Sequence, residues 1–139
     1  MKKLIIHTDG GARGNPGPAG VGVVFYNEKK EIIKKLFKYL GIMTNNQAEY
    51  QAVIFALEKA WNFRPATIEV FLDSELVIKQ LQGKYRVKNK NLHSLYNRVY
   101  YWIKKFKEVS FKYIPRQQNK LADKLVNQAI DRALRETEG

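Results

Sequence analysis

The spacing of apolar and polar positions changes several times along the chain, and the changes mark out its elements. Residues 3–9, centred on Leu4-Ile5-Ile6, predict a strand, followed by a Gly/Pro-rich turn. Val21-Gly22-Val23-Val24-Phe25-Tyr26 predicts a second strand, Asn27 to Lys30 a hairpin turn, and residues 31–39 a third strand with lysines scattered along it. Thr44 and Gln47 have the form of a capping box, opening a helix that runs to about Trp61 and is ended by Arg64-Pro65. A strand over 67–72, a short helix from Ser74 to about Leu81 and a polar stretch from Gln82 to Asn91 follow. Leu92, Leu95, Val99, Trp102, Ile103 and Phe106 then recur at helical spacing. A strand over 109–114 and a helix from about 120 to 136 complete the order βββαβααβα. That order implies an α/β fold with a mixed five-stranded sheet, a three-strand antiparallel meander plus parallel crossovers, flanked by helices. Sites in such sheets gather at the carboxyl ends of the parallel strands.

Composition narrows the class. At 139 residues the chain fits one domain, 1–139, with a real core, and 45% hydrophobic residues is a globular proportion. Twenty-five Lys and Arg against thirteen Asp and Glu leave a net charge of +12. Such an excess favours a polyanionic partner, nucleic acid first and an acidic membrane surface second. With no cysteine there are no disulfides and no thiolate metal sites, and His7 and His93 alone are too few for an ordinary zinc site. The apolar start stops at His7 and Asp9, too soon for a signal peptide, and no run approaches the length of a bilayer span. A cytoplasmic protein, monomeric and without a membrane partner, is expected.

Four acids stand out against that cationic excess. Asp9 ends the first apolar stretch and opens Asp9-Gly10-Gly11-Ala12-Arg13-Gly14-Asn15-Pro16-Gly17-Pro18. Glu49 lies within Thr44-Asn45-Asn46-Gln47-Ala48-Glu49, Asp73 ends the strand over 67–72, and Asp123 lies one turn into the last helix. Alone, Asp9-Gly10 reads as a turn, Asp73 as a cap or first-turn anion, and Asp123 as a complement to the helix dipole. Glu49 is harder to explain that way. On a helix it shares a face with Val53, Ala56 and Ala60, so it should point inward at the rim of the sheet. A buried carboxylate is costly unless a positive group meets it. Convergent carboxylates suit Mg²⁺, which prefers hard oxygen ligands, and paired ions about 4 Å apart assist phosphodiester hydrolysis.

These residues, in this order, resemble type 1 ribonuclease H, the family that cleaves the RNA strand of RNA–DNA hybrids. The likeness runs from Ile6-His7-Thr8-Asp9-Gly10-Gly11, through Gly14-Asn15-Pro16-Gly17, Thr44-Asn45-Asn46 before Glu49, and Asp73-Ser74, to Asn119-Lys120-Leu121-Ala122-Asp123. It implies a ribonuclease H-like fold and a metal-binding catalytic quartet of Asp9, Glu49, Asp73 and Asp123. It further implies two Mg²⁺ ions per site, with Mn²⁺ as a substitute, and products with 5′-phosphate and 3′-hydroxyl ends. By the same resemblance Asn15, Asn45 and Glu75 contact the RNA strand and Thr44 helps hold a DNA phosphate. Glycines 10, 11 and 14 are expected to let backbone approach the sugar-phosphate closely, and amides there can read the 2′-OH.

Three features depart from the family pattern. A histidine common in the loop before the last aspartate is replaced in Pro115-Arg116-Gln117-Gln118-Asn119, where Arg116 is the only charged residue. An always-protonated guanidinium cannot act as a base near neutral pH, although it can steer a phosphate. Ile42 stands where a basic residue is frequent. The long basic protrusion of some relatives shrinks to Gln82-Gly83-Lys84-Tyr85-Arg86-Val87-Lys88-Asn89-Lys90, and no separate hybrid-binding domain is expected. Lys84, Arg86 and Lys88 are expected to contact phosphates around Tyr85. Tyr96, Tyr100, Tyr101, Trp102 and Phe106 read as mostly core, and Lys29, Lys30, Lys34, Lys35 and Lys38 as a solvated edge. The expected partner is an RNA–DNA hybrid. Double-stranded RNA cleavage, a DNA-processing activity on the same fold, and a non-catalytic nucleic-acid-binding module are the alternatives.

Overall fold

The computed structural model describes residues 1–138. Five strands, β1 (Lys3–Ala12), β2 (Gly17–Tyr26), β3 (Ile32–Met43), β4 (Thr67–Leu72) and β5 (Glu108–Tyr113), form one sheet in the order β3-β2-β1-β4-β5. β1, β2 and β3 are an antiparallel meander, and β4 and β5 join parallel to β1. The helices are α1 (Asn45–Ala60), α2 (Glu75–Leu81), α3 (Lys90–Ile103) and α4 (Lys120–Glu138). Short 3₁₀ turns at Trp61–Phe63 and Arg116–Gln118 complete the chain, and periodicity marks neither as a separate element. Among the described residues no helix is long and apolar enough to cross a membrane.

β2 does not alternate buried and exposed residues as a one-sided strand would. It lies between two helical layers, so both faces are covered. Val23 and Phe25 enter the larger core with α1, while Val24 packs with Ala122 and Leu125 of α4. A Cβ on Gly22 would lie 2.2 Å from the carbonyl oxygen of Ala122, so its bare backbone lets α4 seat against the sheet. α1 is buried almost all round, with Ala48, Val53, Ala56 and Ala60 fully enclosed, because β1 covers one side and α3 the other. The expected inward stripe through Val53, Ala56 and Ala60 is present.

β3 is one of the two edge strands, with its lysines exposed, as read from the sequence. The aromatic cluster divides: Tyr96, Trp102 and Phe106 pack on the core, whereas Tyr101 is exposed. The reason is phase. On α3, Tyr101 lies two residues after the buried Val99 and falls off the inward face.

Candidate active site

Register brings the first two acids together. In the parallel pair, His7 faces Phe71 as the last matched position, and Asp9 and Asp73 each lie two residues further on. Asp9 is not at a strand end, as the sequence suggested. β1 continues to Ala12, held by antiparallel pairing with β2 as far as Ala12↔Ala19, and only its pairing with β4 stops before Asp9. The strands therefore part at the two aspartates.

Glu49 arrives from α1. Thr44 and Gln47 form the predicted capping box: Gln47 N–H donates to Thr44 Oγ1 at 3.2 Å, and Thr44 N–H donates to Gln47 Oε1 at 2.9 Å. This fixes where the helix begins and which residue occupies the second turn. Next in sequence, the fully buried Tyr50 donates its hydroxyl to Gln80 Oε1 of α2 at 2.6 Å, and burial pushes the phenol pKa up. One carboxylate oxygen each from Asp9, Glu49 and Asp73 then lies within 4.8 Å of the others. Glu49 Oε2 is sealed from solvent without a hydrogen-bond partner.

Asp123 is exposed in the first turn of α4, and its charge acts on Asp9. Asn119 holds that turn to β1. Its Nδ2 donates to Thr8 O at 2.9 Å, and its carbonyl accepts from Asp123 N–H at 3.1 Å. The Asp9 carboxyl is pushed up to about 8, first by burial and then by the charges of Asp73 and Asp123. Glu49 is pushed well up as well, again by burial before the charges of Asp9 and Asp73. Repelling acids in so small a volume hold protons or bind a cation. An unpartnered buried oxygen among hard donors fits a divalent metal, with Asp9, Glu49 and Asp73 the residues able to hold it.

Gly10 has other work than expected. A Cβ on Gly10 would lie 2.1 Å from Ala48 O, so the space it leaves is filled by α1 rather than kept for a sugar-phosphate. Gly11 has ordinary room, 3.7 Å from Val126 Cγ1, and Gly14 lies in the left-handed region at φ +92.

The predicted contact residues fall into separate regions. Asn15, Thr44 and Asn45 line a cleft of about 400 Å³ together with Asn46, Gln47, Asn89, Asn91 and Leu92. Asn15 Oδ1 accepts from Asn45 N–H at 3.0 Å, and Asn45 Oδ1 accepts from Ala12 N–H at 2.8 Å. Both side-chain oxygens are thus used to lock the turn to α1. Asn46, Asn89 and Asn91 were not singled out from the sequence; the two amide-rich runs were visible, their juxtaposition was not. Lys84 and Arg86 line a different surface hollow with Tyr85, Val87, His93 and Tyr96, and buried Val87 anchors that loop. Lys88 is exposed outside both hollows. Glu75 is exposed at the start of α2, beside Lys79, Gln82 and Tyr113, and Arg116 is exposed in the 3₁₀ turn before α4.

The family profile described as Reverse transcriptase-like matches residues 7–129. A bifunctional protein of Mycobacterium tuberculosis is 36% identical over 132 residues, 94% of this chain. The chain spans only 36% of that relative's length. The ribonuclease HI of Halobacterium salinarum is 42% identical over 125 residues, covering 90% of this chain and 63% of its own. A ribonuclease H1 isolated from compost, solved in complex with an RNA/DNA hybrid, superposes with a TM-score of 0.91 at 45% identity. That match covers 94% of this chain and 99% of the compost enzyme. With a likeness that reaches from β1 into α4, the chain belongs to the ribonuclease H family.

Proposed function

We propose that this chain is a divalent-metal-dependent endoribonuclease that hydrolyses the RNA strand of RNA–DNA hybrids. The observation that carries the reading is the meeting of Asp9, Glu49 and Asp73 oxygens within 4.8 Å, with Glu49 Oε2 buried and unpartnered. The hybrid bound by the compost relative supports the substrate class. Asp9, Glu49 and Asp73 would hold the metal, with Asp123 completing the set from α4. Two Mg²⁺ ions there, or Mn²⁺ in their place, would supply an activated water and neutralise charge on the leaving 3′ oxygen, leaving 5′-phosphate and 3′-hydroxyl ends.

The protein's own groups do the rest. The Asn15 and Asn45 side-chain oxygens are spent on the turn, so their amide nitrogens are the groups that remain to meet the RNA strand and its 2′-OH. Thr44, Asn46, Asn89 and Asn91 give the adjoining cleft neutral donors suited to phosphate oxygens of the opposite strand. Lys84, Arg86 and Lys88 form a cationic rim, and Glu75 and Arg116 flank the site on the α2 and α4 sides. Arg116 can attract a phosphate but cannot accept a proton near neutral pH. Monomeric, cytoplasmic action belongs to the same reading.

Labelled RNA–DNA hybrid, duplex RNA and duplex DNA, each with Mg²⁺, Mn²⁺ or chelator, test the proposal. Metal-dependent cleavage of the hybrid's RNA strand, with 5′-phosphate ends, is expected. Hybrid binding without cleavage in either metal would overturn it in favour of a binding module. Equal cleavage of duplex RNA would broaden the substrate class.

A further inference from the structure

Arg13 belongs to none of the predicted contact sets, yet it sits where three parts of the site meet. Its backbone N–H donates to Pro18 O at 2.9 Å, closing the turn that carries Asn15. Its Nη2 reaches across to α4, 2.7 Å from Asp131 Oδ1 and 3.1 Å from Asn127 Oδ1. Asn127 in turn donates from Nδ2 to the backbone oxygen of Asp123 at 3.1 Å. Asp123, Asn127 and Asp131 recur every fourth residue and so share one face of α4. On its other side the turn is bonded to α1, through Asn45 N–H to Asn15 Oδ1 and Ala12 N–H to Asn45 Oδ1. One chain of contacts therefore runs from the α4 face bearing Asp123, through Arg13 and the turn, to the first turn of α1.

We propose that Arg13 is a positioning residue that clamps the Asn15 turn to the Asp123 face of α4, fixing a strand-contacting loop relative to the fourth carboxylate. Its functional consequence rests on the hydrolase reading above. Magnitudes separate this role from simple stabilisation. An ion pair with side chains 40% and 52% exposed belongs to the class that contributes little to folding. A misplacement of about 1 Å at a reacting centre can cost about 100-fold in rate. Loss of the clamp should therefore show in turnover far more than in stability.

A direct phosphate contact by Arg13 is the competing role, and Asp131 distinguishes the two. If Arg13 acts by holding the turn, removing Asp131 damages the site as removing Arg13 does. If Arg13 grips substrate itself, removing Asp131 frees the guanidinium and costs nothing.

The test compares R13A, R13K, D131A, the R13A/D131A double variant and the R13D/D131R swap, with R132A, whose partner is Glu136 on the same helix, as control. Hybrid cleavage, thermal melting and amide hydrogen exchange are measured for each. R13A and D131A should each lower kcat/KM by about tenfold, with melting points within a few degrees of the parent. The double variant should be no worse than either single one, R13K and the swap should recover part of the loss, and R132A should match the parent. Exchange at the Arg13 and Asn45 amides should quicken in R13A and D131A alike. A parent-like D131A beside an impaired R13A, additive losses, or unchanged exchange would overturn the clamp. A parent protein that cuts no hybrid would defeat the hydrolase reading alone, because the exchange measurements still decide whether the turn is clamped.

Discussion

A Cβ on Gly10 would fall 2.7 Å from the backbone nitrogen of Glu49, so the carboxylate of α1 reaches Asp9 only across a residue without a side chain. The nearest obstacles are backbone atoms of Ala48 and Glu49, which cannot turn aside as a flexible side chain could.

Gly10→Ala should therefore push α1 away from β1. A loss of about 1–3 kcal/mol in urea denaturation is expected from overpacking, and hybrid cleavage should fall by about 100-fold as the carboxylates separate. Parent-like stability and turnover together would show that α1 has freedom to move that the packing denies it.

Asp73→Asn and Glu49→Gln should each lower hybrid cleavage by at least about 100-fold, since each removes a charge facing the metal. Circular dichroism should be unchanged. Asp123→Asn should retain more activity than either, because Asp123 is exposed and stands outside the tight triad. An Asp123 variant more damaged than the Asp73 variant would reverse that ranking.

In chelator, stability should fall as pH rises. The folded Asp9 carboxyl keeps its proton up to about pH 8, against 3.8 for an ordinary aspartate. Its contribution is complete below pH 3.8 and is lost as pH climbs through about 8, at no more than about 1.4 kcal/mol per pH unit. Asp9→Asn should be more stable than the parent at pH 8.5 without metal, and less stabilised by added Mg²⁺ or Mn²⁺. Urea titrations across that window check the sign; a parent more stable than the variant at high pH, without metal, would contradict it.

Replacing Lys84, Arg86, Lys88 and Lys90 with alanine should weaken hybrid binding in Ca²⁺ and flatten its dependence on salt. Each lost phosphate contact lowers the slope of log K against log salt by about 1. Turnover at saturating hybrid should change much less, because these side chains lie outside the carboxylate cluster. A parent-like slope with lost turnover would place the loop at the chemistry instead.

What the sequence determined by itself is what neighbours within a few residues decide. The capping box at Thr44 and Gln47 and the strand Thr67–Leu72 follow from local hydrogen bonds and side-chain period, as does the short helix after Asp73, although its cap is Ser74 rather than Asp73. So did the inward aim of Glu49, which is a matter of helical phase. The order of elements was legible for the same reason. The motif likeness then named all four acids without showing where they would stand.

Only the tertiary structure decided which distant groups meet. The extension of β1 past Asp9 depends on the hydrogen-bonding partner that β2 offers, and Gly10 is small for the sake of a helix far along the chain. The amide-lined cleft joins residues around positions 15, 45 and 90, and Arg13 meets Asp131 where α4 seats on β2 over Gly20 and Gly22. These approaches are set by sheet register and by the closeness with which helices can seat on strands. Neither leaves a period in the sequence, because each is a property of two segments at once.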